Sequence, residues 1–572
     1  MPLDNTNEQL AKGITPPSKF RDSIVDRMMA IINGTGAPEI HRQGHMSRKR
    51  AENTIDLLKA AWRRPMGTDE INNQKMAKNV TYTSDDLNKM IDAGEDLQKS
   101  VTLSTGLTYY DLRAPALNLF PTVTPLRNSL PRNQRQYPGD SLHWKSVDST
   151  VGSGYPYMGW VPEGKRSASM SYVTSEHTMP YKTLGEEDSI TEEARFAAMG
   201  FEDEDALVQL RLLLKMFVKE EAALLAGNNS LTLATPATPT LSVAGTGNTL
   251  PSATYSVIVV ALTPEGYLNS NTAVGGGVAT ALTITGNDGQ TYTLNGGSSM
   301  KSAAATQAVT LGEYLNCNTN TQVGAVAYAW YIGLAGAEKL EFITTINSLR
   351  VTGPLAGTGQ AATAIASDHS KNTTAFDGLL ITTFAASNSY LSAFATGTPG
   401  TGTGMTSSGR GSIVQIDTML KSMWDNNRIS PTVMYVNSQE LQNMSDKVLN
   451  GTSAPLLRYN SDAQGAAEYK LTASGVIAFY YNPFTPDGGV KMPVKVHPNI
   501  MPGTLMARSE ILPPWYVSNN VPEVAVVQTR QDYYAEVWPK TTRVQFYGVY
   551  SQEVLAVYTT FAAGILYNIG NI

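Results

Sequence analysis

Two histidines, His41 and His45, stand four residues apart, a spacing that sets two imidazoles on one helix face as half of a metal site. No third ligand accompanies them, and Gly44 weakens the helix that would carry them, so no metal or other cofactor is expected. The cations Arg48, Lys49, Arg50, Arg63 and Arg64 have the charge to meet nucleic-acid phosphates from an inward-facing arm; they equally suit a solvated face or an acidic neighbour. The loop Gly400 to Gly411 runs into a helix pattern at Ser412, as a phosphate cradle would. A Walker loop needs a Lys before the Ser or Thr at the helix start, whereas Arg410-Gly411 stand there and no strand leads in. The paired acids at Glu186-Glu187-Asp188, Glu192-Glu193 and Asp203-Glu204-Asp205 read as helix N-terminal charges. Six histidines leave a Ser/His/Asp set open, but no Ser sits in a nucleophile elbow, so no enzyme is indicated.

The aromatics Trp144, Tyr155, Tyr157 and Trp160 are more suggestive. They lie in a turn-rich stretch beside Arg132, Arg135, Lys145, Lys165 and Arg166. A solitary loop exposing them invites aggregation, so burial in a neighbouring subunit is the economical account, with the cations meeting acidic surface there.

The elements that must position these residues follow from periodicity. Residues 1 to about 105 are polar and helix-patterned, with scattered anchors such as Ile24, Met28, Ile31, Ile55, Leu58 and Trp62, and read as an extended arm. Alternating runs at Leu142–Val147 and Ser169–Thr174 flank a long excursion and predict a hairpin arm. Ser189 to Glu192 is a capping-box pattern. Leu207, Leu210, Leu214, Phe217, Val218, Ala222 and Leu225 share one face of a helix from Asp203 to Ala226, roughly 36 Å long, with Gly227 as its stop. Further on, Ser412 to Gln415 is another capping box, Ile413, Ile416, Leu420, Met423 and Trp424 line a helix, Pro431–Asn437 reads as a buried strand, and Ser438–Val448 as a helix. The C-terminal part is strand-rich and aromatic.

Composition narrows the class. At 572 residues, two or three domains are expected. The net charge of −6 gives sequence-specific nucleic-acid binding little support. The single Cys317 excludes an intrachain disulfide framework. The start shows neither a basic nor an apolar signal region, and no apolar run is long enough to span a membrane. A soluble protein made in a cytoplasm is therefore expected.

Residues 231–372 differ from the rest. They hold six acidic and four basic residues, against 29 charges in the first hundred, and are rich in Thr, Ala, Gly and Ser. Short strand patterns with Gly, Asn and Ser turns predict a β-sandwich. The Leu250-Pro251…Thr254-Tyr255 turn and Ala261-Leu262-Thr263-Pro264-Glu265-Gly266 resemble fibronectin type III or immunoglobulin-like modules. The module reads as spliced into a host domain between Gly227-Asn228 and Phe376-Asp377.

The host's order of parts is an arm, a long two-stranded loop, a long helix ending in Gly-Asn, an α+β unit and a β-rich return. This resembles the major capsid proteins of tailed bacteriophages, with the Hong Kong 97-type coat fold. The run Glu221 to Asn228, resumed at Phe376-Asp377-Gly378-Leu379-Leu380, is similar to that family's spine-helix exit and axial-domain entry. The runs Ala535 to Pro539 and Arg543 to Val549 are similar to its late peripheral strands. The resemblance implies an α+β architecture. Residues 1–130 would be N-terminal arm and the start of the peripheral domain, 131–182 the extended loop, and 183–230 the peripheral domain with the spine helix. Residues 231–372 would be the inserted sandwich, 373–510 the axial domain and 511–572 the returning peripheral strands.

The resemblance further implies a non-enzymatic subunit, self-assembling as hexamers and pentamers into an icosahedral shell around double-stranded DNA. Scaffold, portal and decoration proteins would be partners. Some relatives lose an N-terminal piece by proteolysis; whether this arm is retained stays open. Two alternatives share parts of the pattern: an encapsulin-like compartment shell, and a carbohydrate-binding surface protein acting through the sandwich.

Overall fold

A computed structural model describes residues 122–134, 139–149, 160–166, 173–198, 203–274, 276–278, 280–409, 411–449, 479–486, 488–513, 516, 523–540 and 542–572. Its chain is mixed α+β and divides into two compact units. Among the described residues, one unit takes in those of 187–214 and 535–548, the other those of 122–186, 215–534 and 549–572.

The chain opens with α1 (Pro125–Ser129) and the short strand β1 (Arg132–Gln134). The hairpin follows as β2 (Ser141–Ser149) and β3 (Val173–Pro180), pairing Leu142 with Met179 and Trp144 with His177. Next come β4 (Lys182–Thr191), α2 (Glu192–Ala198) and α3 (Glu204–Ala226). The expected capping box at Ser189 is displaced, because Ser189 and Ile190 complete β4. Thr191 Oγ1 instead accepts the Ala194 N–H, at 3.2 Å. In this first unit Arg195 bonds Asp205 at 2.8 Å and the Tyr547 hydroxyl at 2.9 Å.

At 23 residues α3 is about 34 Å long. Its end is fixed by close backbone approach. A Cβ on Gly227 would lie 2.5 Å from the Phe376 carbonyl oxygen, and one on Gly378 would lie 2.7 Å from the Leu225 carbonyl. The Gly378 N–H donates to Gly227 O at 2.8 Å, Asn372 N–H to Asn228 O at 2.7 Å, and Asp377 Oδ1 accepts from Asn229 and Ser230 N–H. The two chain segments on either side of residues 232–369 therefore lie side by side.

Between them the chain makes β5 (Thr240–Ala244), β6 (Ala253–Leu262), α4 (Pro264–Asn269), β7 (Ala281–Thr285), β8 (Thr291–Asn295), β9 (Ala305–Val309), β10 (Tyr314–Asn318), β11 (Ala327–Gly333), β12 (Lys339–Thr344) and β13 (Ser348–Val351). Seven of these strands form a three-stranded sheet, β13-β10-β5, and a four-stranded sheet, β12-β11-β6-β9. Val257, Val259, Tyr328 and Trp330 face Leu315, Cys317, Leu349 and Val351 across the core between the sheets. The other face of the second sheet is covered too, with Ile258, Val260, Ala329 and Tyr331 under Val278, Ala362 and Ile365. Burial on both faces explains the unbroken apolar run Val257–Leu262.

The remainder is α5 (Leu379–Ala385), β14 (Tyr390–Ala393), α6 (Val414–Asn427), β15 (Val433–Val436), α7 (Ser438–Leu449), β16 (Phe479–Asn482), β17 (Val490–Val496), β18 (Leu505–Arg508), β19 (Ala525–Val537), β20 (Val544–Val557) and β21 (Ala563–Tyr567). A six-stranded sheet runs β14-β21-β18-β15-β17-β16, and a four-stranded one β1-β19-β20-β4. In β15, Val433 and Tyr435 enter one core while Met434 and Val436 enter another, the period-two signature of a central strand. The capping box expected at Ser412 is absent. Ile413 is the cap residue and makes no side-chain cap, and Gln415 turns back to Thr406 at 3.0 Å.

Candidate assembly site at the hairpin base

Most of the charge chemistry buried in the second unit gathers where α1 and β1 meet the last turns of α3. Glu220 and Glu221 fall on the apolar stripe of α3, three and four residues after Phe217, and both are fully buried. Two buried carboxylates need partners or they would not stay charged. Glu221 Oε1 and Oε2 accept the N–H groups of Leu126 and Arg127 at 2.8 and 2.7 Å. His497 Nε2 lies 2.6 Å from Oε1. Its Nδ1 accepts the Asn499 N–H at 3.1 Å, which places the ring proton on Nε2.

Glu220 is the centre of a larger set. Arg127 Nε donates to it at 2.9 Å and, with Nη2, to the Tyr533 hydroxyl at 3.0 and 2.8 Å, the hydroxyl in turn donating to Glu220. The Arg127 guanidinium lies 3.8 Å over the Phe217 ring. Arg132 donates to Glu220, to Asp532 at 2.8 Å and to Glu553 at 2.9 Å. Burial, reinforced by the neighbouring charge of Glu220, pushes the Glu553 carboxyl up to about 7; Arg132 and Ser551 pull the other way. Burial and Glu220 likewise push the Tyr533 phenol up. The arrangement welds α1 and β1 to α3, β19 and β20.

The hairpin is held separately, by the segment after β20 and by Asn388. Val147 N–H donates to Tyr558 O at 3.0 Å, Trp144 Nε1 to Val557 O at 3.1 Å, and Asn388 Nδ2 to Asp148 O at 2.6 Å. Trp144 stacks on His177 with ring centres 5.3 Å apart. Here the structure assembles a serine, a histidine and an aspartate. Ser146 Oγ lies 2.7 Å from His177 Nε2 and 3.0 Å from Asp148 Oδ1. The acid bonds the serine and not the far nitrogen of the histidine, so it cannot orient an imidazole base, and Ser146 is buried mid-strand. The set fastens the two strands together.

The residues expected to touch a neighbouring subunit divide into three groups. Arg132 pairs with carboxylates of its own chain, and Trp144 is half-buried against its own core. Buried Glu220 and Glu553 demand a cation, and Arg132 supplies it within the chain. Lys145 pairs with Glu176 at 2.9 Å, both exposed, so water and salt screen the contact. Trp160 is 94% exposed, and Lys165 and Arg166 are exposed with it. Arg135, Tyr155 and Tyr157, with Arg48, Lys49, Arg50, Arg63, Arg64, His41 and His45, lie outside the described residues.

The glycine loop that invited comparison with a phosphate cradle is packed elsewhere. A Cβ on Gly400 would sit 2.9 Å from Arg350, and Ser412 Oγ donates to Asp417 at 2.6 Å, putting a carboxylate where a phosphate would go. Burial pushes the Cys317 thiol up to about 12, so it is no nucleophile. Among the described residues no helix is long and apolar enough to cross a membrane, and no three His, Cys, Asp or Glu converge as metal ligands do. Sequence reasoning missed Arg127, Glu220, Glu221, His497, Tyr533 and Glu553. Two charges on the apolar stripe of a long helix were the available signal.

No protein-family model matches the chain, and no curated protein does. Solved structures that it is similar to include phage capsids, a GTA capsid and an encapsulin. The capsid of a native GTA particle is 8% identical, covering 81% of this chain and 100% of that one, at a TM-score of 0.35. The capsid of Myoviridae Phage XM1 is 10% identical, covering 82% and 99%, at 0.34. The holo-SrpI encapsulin complex of Synechococcus elongatus PCC 7942 is 9% identical, covering 81% and 97%, at 0.31.

Proposed function

We propose that this chain is the major capsid subunit of a tailed phage, a coat protein of the Hong Kong 97 type. Residues 131–182 act as the extended loop, α3 as the spine helix, 373–510 as the axial domain and 231–372 as an inserted immunoglobulin-like module. The subunit self-assembles as hexamers and pentamers into a shell in the virion, enclosing double-stranded DNA. Scaffold, portal and decoration proteins would be further partners. It performs no catalysis.

The observation that carries this reading is a hairpin whose strands are fastened to their own chain while the segment beyond them is exposed. Trp144 bonds Val557, Val147 bonds Tyr558 and Asp148 accepts from Asn388, while Trp160, Val161, Lys165 and Arg166 stand in solvent. A tryptophan exposed in this way, with its cations, fits insertion into an adjacent subunit. Fixing the base lowers the ordering cost of each contact, and contacts repeated around a closed ring must break together, which multiplies their strength.

Negative-stain electron microscopy of the purified full chain under assembly conditions tests the reading. Closed shells containing nuclease-protected double-stranded DNA, when made in infected cells, are expected. A monodisperse monomer at high concentration would sink it, and shells filled with a protein cargo would indicate a compartment.

A further inference from the structure

The seam at 228–231 and 370–378 is a covalent necessity for any inserted module. The structure also holds a second junction that no covalent connection requires. The turn between β12 and β13, Thr345–Asn347, is seated against the chain's C-terminal segment. Asn347 N–H donates to Asn568 Oδ1 at 2.8 Å, and Asn568 Nδ2 donates back to Asn347 Oδ1 at 3.1 Å. Asn347 Nδ2 also reaches Thr396 Oγ1 at 2.8 Å, and Asn568 Nδ2 reaches Phe394 O at 2.7 Å. Both asparagines are buried, and Asn568 is held in the left-handed region, at φ 62°. Asparagine tolerates that conformation better than most residues.

Around this pair the backbones close in. Gly400 N–H donates to Ser348 Oγ at 3.2 Å, and Gly402 sits so that a Cβ would lie 3.0 Å from Gly570 and 3.3 Å from Ile346. Gly570 N–H donates to Thr403 O at 2.8 Å and Ile569 N–H to Gly503 O at 3.0 Å. The loop 397–404, the C-terminal segment and the sandwich turn therefore share one packed, hydrogen-bonded junction next to β21.

We propose that the inserted sandwich is a brace for the host: through Asn347 and Ser348 it holds the C-terminal segment and the 397–404 loop in place, and so secures the β14–β21 edge of the six-stranded sheet. A tethered ornament would leave its far turn in solvent. Here that turn supplies donors and acceptors to buried host groups, which lose their partners if it moves away. The inference concerns folding within one chain and stands whether or not the coat reading does.

Hydrogen–deuterium exchange on the full chain tests it. In Asn347→Ala, exchange in host peptides covering 563–572 and 397–405 is expected to accelerate at least about ten-fold, and Asn568→Ala should speed the 344–350 peptide reciprocally. Acceleration confined to peptides within 240–351 in Asn347→Ala overturns the proposal. Ser348→Ala leaves the asparagine pair intact and decides the matter should Asn347→Ala not fold. Faster exchange at 397–405 supports the brace, and unchanged exchange there overturns it.

Discussion

Glu265 sits beside the seam in the first turn of α4, and among the described residues no cation pairs with it. Among the described residues its Oε2, closed off from solvent, has no hydrogen-bond partner, and the Asn372 side chain bonds the carboxyl. Burial pushes the group from 4.5 up to about 7, with Asn372 pulling it back in part. The raised value means that the folded chain prefers the protonated acid. Below about pH 4.5 both states carry the proton and nothing is lost. Between there and pH 7 the unfolded chain ionises first, so stability falls, and above pH 7 the loss is complete. At 1.36 kcal/mol per pKa unit it amounts to about 3 kcal/mol. Glu265→Gln keeps an acceptor for Asn372 but cannot ionise. Urea unfolding at pH 8 should therefore find the variant more stable by up to about 3 kcal/mol, while at pH 4.5 the two should agree within roughly 0.5 kcal/mol. An equal gain at both pH values, or a loss at pH 8, would refute the idea that the cost is that of a buried charge.

Arg132→Ala removes the cation between Glu220, Asp532 and Glu553 and should destabilise by about 3–5 kcal/mol at pH 8 in denaturant melts. The loss should shrink below pH 7, where Glu553 holds a proton. Trp160→Ala should leave the subunit's unfolding midpoint within error, since the side chain is 94% exposed, yet weaken association by about 2 kcal/mol or more per contact in light-scattering assembly assays. Gly378→Ala drives a methyl to 2.7 Å from the Leu225 carbonyl and should cost about 1–3 kcal/mol by thermal melting, with altered exchange at 225–231.

The long helix, its glycine stop and the buried strand Val433–Val436 were legible because each is a local pattern: a stripe, a breaker or a continuous apolar run. The sandwich strands were legible for the same reason, since turns and β-branched runs are short-range signals. The capping boxes failed because a hydrogen-bonding side chain has more than one use. Thr191, two residues beyond Ser189, takes the cap, and Gln415 bonds Thr406 instead of its own helix. Nor could the charge cluster be read. Arg127, Glu220, Asp532 and Glu553 are separated by up to hundreds of residues, and only folding says which charges meet. Arg132 shows the limit most sharply. As a string it belonged with the loop cations, but its strand pairs with Val527–Thr529 and carries it to Glu220.

That displacement changes what the hairpin's chemistry means. Cations distributed evenly along a loop would make every contact an exposed ion pair, weak and screened by salt. The structure segregates them. Arg127 is buried and Arg132 is largely covered beside Glu220, where low dielectric makes the loss of any one partner expensive and so fixes a single geometry. Lys165 and Arg166 remain exposed beside Trp160, where apolar burial can supply affinity and charge can supply direction. Rigid support and adaptable contact require opposite environments, and the two sets of cations have them. Salt should therefore act on association at the tip far more than on folding at the base.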